Sequence, residues 1–291
     1  MAFLGSPEPA ARCLQALVDA GHDIVLVVSE PDKRRARGSA TSPTPVKALA
    51  RELGIAVSDR VDDVLTVGAE VGVVVAFGRL IRPAVLEHLE MVNVHFSLLP
   101  RWRGAAPVER AILAGDERTG VCLMRLEEGL DTGPVYACAE TDIGPRETVS
   151  VLRLRLSRLG AELLVSRLAG GVHTLGQPAP QVGEATYAAK ITQEDLHIDW
   201  SRPAVAIERQ VRVGRAWTTF RHARVIVWAA EARGGGPPQD AGPAPGTIAG
   251  RLVATGDGWL ELSVVQAAGR QRQSVTDWLR GARISPGEAF D

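Results

Sequence analysis

Asn93 and His95 stand two residues apart in an otherwise apolar run, and Asp131 sits in a glycine-flanked stretch, Glu-Glu-Gly-Leu-Asp-Thr-Gly, further along. An extended strand turns alternate side chains to one face, so the amide and the imidazole point the same way. A carboxylate near an imidazole fixes its orientation and favours its charged form. An amide donor can hold a developing oxyanion. Without a serine or cysteine nucleophile, Asn, His and Asp together suit acyl transfer in which the substrate brings its own nucleophile. Spacing leaves blander readings open at the same positions: a satisfied core histidine, an Asn93 that caps a backbone edge, and an Asp131 that only shapes a turn. The remaining histidines, His22, His88, His173, His197 and His222, have no comparable context.

The elements that must carry these residues alternate between strand and helix patterns. Short apolar runs at 2–4, 24–28, 71–77 and 91–95 read as strands, and residues 8–20, 82–89 and 104–114 as helices. Continuous β-branched runs suit strands buried on both faces, and such alternation implies a parallel sheet covered by helices. Residues 121–125 and 135–143 fit two more strands, and 147–168 fits a long helix that stops at Gly170-Gly171. Asn93 and His95 close one strand, which is where open α/β sheets bind ligands. The first turn, Gly5-Ser6-Pro7, is neither a dinucleotide fingerprint nor a P-loop.

Beyond Gly171 the character changes. Residues 172–202 are mostly irregular and polar and read as a connector. Short strand-like segments follow at 218–220, 223–228, 246–252 and 259–265. Nine of the fourteen residues from 233 to 246 are Gly or Pro, which reads as a loop. Short strands with such turns suggest a small antiparallel barrel. The division expected is 1–171 as the catalytic α/β domain, 172–202 as connector and 203–291 as a β domain.

At 291 residues, two domains are expected, and 45% apolar with 23% charged residues is ordinary for a globular chain. No run of about 18 apolar residues exists, which argues against a membrane span. The first residues lack a basic segment before an apolar stretch, which argues against a secretory signal. Cys13, Cys122 and Cys138 are odd in number and lack metal-ligand spacing. They read as buried thiols of a reducing cytoplasm. From Trp200 onward there are 12 Lys+Arg against 8 Asp+Glu, which leaves 21 against 26 before it. A tail more basic than the body hints at a polyanionic partner, although a solvated face with chance excess has the same count.

The letters carry more than the spacing. "NVHFSLLPRWRGAAPVERAILAGDERTGVCLMRLEEGLDTGPVY" closely resembles the folate-dependent formyltransferases, and the likeness continues in "AFLGSPEPA", "EPDKRRARGSATSPTPVKALA", "TYAAKI" and "IDWSRPA". The resemblance implies an α/β Rossmann-like N-terminal domain, an OB-like C-terminal β-barrel and 10-formyltetrahydrofolate as co-substrate, with no metal. Asn93, His95 and Asp131 match the family's catalytic triad. Ser97, Leu98, Leu99 and Pro100 match the turn that borders the folate. Arg79, Leu80, Ile81 and Leu130 match segments that form the pterin pocket, although plain core packing fits Leu80, Ile81 and Leu130 too.

The "PRWRGAAPVERAILAGD" stretch is most typical of family members that formylate the methionyl group of initiator tRNA. That implies direct attack of the amine on the formyl carbon; a monomer is the default expectation, and the cysteines point to the cytoplasm. Relatives acting on glycinamide ribonucleotide or an aminosugar nucleotide are the alternative, and a catalytically dead RNA-binding protein is a third. Residues 31–47 hold Lys33, Arg34, Arg35, Arg37 and Lys47 against Asp32 alone, with three prolines, and read as a mobile basic loop. By resemblance Arg37 matches an arginine that enters the acceptor end of the tRNA, and Lys190 a connector lysine near the active site. Arg209, Arg212, Arg215 and Arg221 are further candidates for RNA contact in the β domain. Arg215-Ala216-Trp217-Thr218 departs from the Asn-Pro-Trp-Pro common in the tRNA enzymes, which puts that local turn in doubt.

Overall fold

Valine-rich runs too short for helices build the central sheet of the first of two compact units. The computed structural model describes residues 1–34, 41–234 and 243–291. The first unit comprises Met1–Val108, Arg118–Ile143 and Val151–Ala189, and the second Glu109–Glu117, Gly144–Ser150 and Lys190–Asp291. Strands β1 (Ala2–Gly5), β2 (Leu26–Val28), β3 (Val57–Ser58), β4 (Gly72–Val75), β5 (Met91–His95), β6 (Arg118–Arg125) and β7 (Val135–Asp142) lie in the order β7-β6-β5-β4-β1-β2-β3. The first five run parallel. The last two do not. β6 pairs antiparallel with β5, and β7 with β6, so the expectation of a parallel sheet holds for its centre and one edge.

Helices α1 (Glu8–Asp19), α2 (Pro45–Glu52), α3 (Pro83–Leu86), α4 (Pro107–Ala114) and α5 (Val149–Leu168) follow in chain order. Residues 31–47, expected to be irregular throughout, contain the start of α2. Thr44 caps it by accepting the Lys47 N–H, and Pro45 occupies the first turn, where its missing donor costs nothing. Lys33–Arg34 and Thr41–Ser42 pair as two short antiparallel strands. Arg35 and Arg37 lie outside the described residues. The Lys47 ammonium is buried on the Asp32 carboxylate at 2.7 Å, and this holds the Asp32 carboxyl below its ordinary range. It is therefore not one of the cations that face a partner.

Gly160 of α5 decides which way β5 faces. A Cβ there would stand 2.8 Å from Val94 Cγ1, so the helix backbone packs directly on that valine. Asn93 and His95 accordingly share the opposite face with Met91, which joins the core of Leu4, Val74, Phe77 and Ile81.

The three cysteines are not three thiols. Cys122 and Cys138 sit opposite each other on β6 and β7 and are joined as a disulfide, with Cα atoms 4.1 Å apart. A separation of sixteen residues conceals this, because only the antiparallel register brings the two together. Cys13 remains free, and burial pushes its thiol up to about 12.

In the second unit, β8 (Ala216–Phe220), β9 (Ala223–Arg233), β10 (Ile248–Ala249), β11 (Leu252–Ala254), β12 (Trp259–Ala267) and β13 (Gln273–Ser274) form one antiparallel sheet. Its order is β8-β9-β12-β11-β10, with β13 beside β12. Two helices not anticipated from the sequence, α6 (Ala204–Val213) and α7 (Val275–Ala282), belong to this unit. Trp200, Phe220, Trp278 and Phe290 anchor the core; Phe290 stacks on both tryptophans, at 5.3 and 5.6 Å between ring centres. Much of the Gly/Pro loop, residues 235–242, lies outside the described residues. Three of the arginines expected to face RNA are engaged within the unit. Arg212 donates to the Glu147 and Gly144 carbonyls, Arg221 pairs with Glu288, and the Arg209 guanidinium lies against Gly115. Arg215 is exposed and makes the local turn in the left-handed region, at φ 63°.

Candidate active site

Strand β5 ends by burying His95 and leaving Asn93 half-buried on the same face. His95 Nε2 lies 2.9 Å from the Trp102 carbonyl oxygen. A carbonyl only accepts, so Nε2 carries a proton, and Nδ1 is the nitrogen left for chemistry. Nδ1 faces Asp131 Oδ2 at 3.6 Å. The same Oδ2 accepts the Gly104 N–H at 2.7 Å. Among the described residues no partner engages the Asn93 amide, which leaves its donor for a ligand.

The two turns that complete the arrangement are backbone-strained. Trp102 has φ 63° and Asp131 φ 50°, left-handed values that cost non-glycine residues free energy. Gly104, at φ 120°, has no room for a side chain: a Cβ would stand 2.9 Å from the Ala188 carbonyl oxygen. Ser97 is fully buried, and its hydroxyl donates to the Arg101 carbonyl at 2.6 Å, so it shapes the turn from within. Leu98, Leu99 and Pro100 are half-buried along that turn. Arg101 stacks on the Trp102 ring at 4.5 Å.

The segment read as a connector reaches these turns. Ala179 bridges to Val135, Thr186 Oγ1 accepts the Trp102 N–H, and Tyr187–Ala188 pairs in parallel with Arg103–Gly104. Gln181 bonds both to Arg103 and to the backbone of the Asp131 turn. Nothing in its own residue type or spacing singles out Gln181. The available signal is the length of the irregular stretch, since long loops inside compact domains tend to be functional.

Residues expected to hold a flat ligand divide by exposure. Ile81 and Phe77 are buried in one apolar cluster, against which Leu126 packs, so the 77–81 and 126–130 segments are brought together. Leu80 is 84% exposed and Leu130 61% exposed. Arg79 donates to the Asp59 carbonyl and lies over Phe77. A cavity of about 490 Å³ lies at the other end of β5, between Leu86, Glu90, Met91 and Leu126, and none of Asn93, His95 or Asp131 lines it. Lys190 is exposed, and its carbonyl accepts from Arg110. Among the described residues no cluster of His, Cys, Asp and Glu could hold a metal, and no helix is long and apolar enough to cross a membrane.

A mostly parallel α/β sheet is followed by an antiparallel β unit, and His95 at the end of β5 faces Asp131 from the turn between β6 and β7. The chain belongs to the formyltransferase family: the profile described as Formyl transferase matches residues 1–168, and Formyl transferase, C-terminal domain, matches 190–283. It is similar to the methionyl-tRNA formyltransferase of Roseobacter denitrificans, 43% identical with 100% of this chain and 98% of that one covered. It is 42% identical to that of Dinoroseobacter shibae, with 98% of each covered. An N-formyltransferase of Helicobacter canadensis, solved with folinic acid and dTDP-3-aminofucose, shares the fold with a TM-score of 0.70 at 16% identity, over 94% of this chain and 98% of that one. Methionyl-tRNA formyltransferase from Clostridium thermocellum gives 0.58 at 16%, over 80% and 92%.

Proposed function

We propose that this chain transfers the formyl group of 10-formyltetrahydrofolate to the α-amine of methionine carried by initiator tRNA. The observation that carries the reading is identity above 40% over essentially the whole length of proteins named for that reaction. The geometry supports the chemistry. As the neutral amine attacks the formyl carbon, negative charge grows on the formyl oxygen. Asn93 donates to it from its unengaged amide, and the His95 imidazolium adds its positive charge. Asp131 holds that imidazolium against the opposite carbonyl of Trp102. Removing one donor of this kind costs about 10²–10³ in rate.

The residues fit a folate. Leu80 and Leu130 are exposed apolar surfaces suited to a pterin face, Ile81 and Arg79 support the same wall, and Ser97, Leu98, Leu99 and Pro100 form its border. Lys33, Arg34, Arg35, Arg37 and Lys190 are the cations assigned to the RNA. Residues 1–171 are the catalytic domain, 172–202 the connector, and 203–291 a domain that adds to RNA binding. The protein acts in the cytoplasm as a monomer.

The test offers 10-formyltetrahydrofolate with methionyl-initiator tRNA, glycinamide ribonucleotide and an aminosugar nucleotide, each as sole acceptor. Formylation of the tRNA alone is expected. Turnover confined to a small amine would overturn the assignment.

A further inference from the structure

We infer that Gln181 is a positioning residue for the His95–Asp131 pair, a brace that locks the turn carrying Asp131 to the turn carrying Trp102. This rests on the formyl-transfer reading for its consequence in rate, but not for its geometry. The Gln181 side chain spends every donor it has on one turn and its oxygen on the other. Nε2 donates to the Asp131 carbonyl and to the Gly133 carbonyl, each at 2.8 Å. Oε1 accepts from Arg103 Nε at 3.0 Å and Nη2 at 2.7 Å. The amide cannot be reversed, because both carbonyls only accept and the guanidinium only donates.

Each end of the brace reaches the reacting pair through one residue. Arg103 follows Trp102, whose carbonyl fixes the His95 ring, and precedes Gly104, whose N–H holds the Asp131 carboxylate. The other end grips the main chain of Asp131 itself and of Gly133. Gly133 has no slack: a Cβ there would collide with the Arg125 carbonyl. Without the brace, the two turns keep only the Gly104 N–H bond to the Asp131 carboxylate, and the left-handed backbone at Trp102 and Asp131 loses its second cross-link. The Nδ1 to Oδ2 gap of 3.6 Å is then free to widen.

Two substitutions separate bracing from packing. Gln181→Leu keeps the volume and removes every bond. Gln181→Glu keeps the Arg103 contact, now as an ion pair, but turns both donations to the 131 and 133 carbonyls into repulsions. The expected result is a kcat lower by about 10–100-fold in both, since displacing a positioned group by 1 Å can cost about 10². KM for tRNA and for the formyl donor should stay within about threefold.

Histidine labelled with ¹⁵N supplies the independent readout in the substrate-free protein. The His95 ring resonances, assigned by their loss in His95→Ala, should shift in both Gln181 variants while those of the other five histidines hold still. Unmoved His95 resonances in both variants would overturn the brace, as would a kcat within twofold of the wild type. So would a fall in rate that tracks a general loss of thermal stability. The spectra need no substrate, so failure of the brace and failure of the formyl-transfer reading are separate results.

Discussion

The carbonyl oxygen of Trp102 lies 2.9 Å from Nε2 of His95, on the far side of the ring from Asp131. One contact fixes where a ring proton sits, and the other places the carboxylate beside Nδ1. The ring is thus held between a carbonyl and a carboxylate. Asp131→Asn keeps the shape of the turn and removes the charge. We expect kcat to fall by about 10²–10³ with KM for both substrates nearly unchanged, in steady-state formylation assays. A variant with full rate would remove Asp131 from the mechanism.

Leu80 and Leu130 are the apolar side chains offered to the folate. Covering a leucine side chain is worth about 1.5–3 kcal/mol, or roughly 10–100-fold in binding. Leu80→Asp and Leu130→Asp should each raise KM for the formyl donor by about tenfold or more. KM for the tRNA should hold, and kcat at saturating donor should stay close to the wild type. Equal KM values for the donor in both variants and wild type would move the pterin elsewhere.

The strand 91–95 and its two polar residues are legible in the sequence because a five-residue apolar run with period-two polarity admits one reading, and the structure has Met91–His95. The flanking helices are legible from their Gly stops. What stays hidden depends on contacts remote in sequence. Lys47 reads as one more cation of a basic stretch, and only the fold shows its ammonium buried on Asp32. Pro45 reads as a breaker, although at the first helical position it favours the helix it opens. Helix α7 hides behind a polar stretch, and its one local signal is the cap, Ser274 accepting from the Asp277 N–H. Gln181 and the disulfide have no local signal at all, since both arise from chain segments that meet only in the folded unit.

The basic stretch around Arg37 carries its prediction in charge alone. A cation that neutralises an RNA phosphate releases counterions, so its removal should weaken binding and flatten the salt dependence. Arg37→Ala should raise KM for methionyl-tRNA while leaving KM for the formyl donor alone. The slope of log affinity against log salt should decrease by about 0.7–0.9 for each phosphate that is no longer neutralised. A slope identical to the wild type, measured by filter binding across a salt series, would assign Arg37 to solvent.

Asp195 ties two parts of the second unit, and it does so electrostatically. Its carboxylate accepts from Arg110 at 2.7 and 3.1 Å and from the Thr192 N–H and hydroxyl. The Arg110 guanidinium and then the Thr192 donors hold the Asp195 carboxyl down at about 2. A carboxyl depressed in the folded state adds stability above its unfolded value, near 4, and loses it as pH falls through the folded one. Asp195→Asn should therefore lower the unfolding free energy at pH 7 by about 1–2 kcal/mol, and the deficit should shrink steadily between about pH 4 and 2. Urea unfolding followed by tryptophan fluorescence reads this directly, because Trp200, Trp217 and Trp278 all belong to the same unit. A deficit of constant size from pH 7 to pH 2 would mean that Asp195 acts through its hydrogen bonds as a neutral group could, and that its charge contributes nothing to holding Arg110.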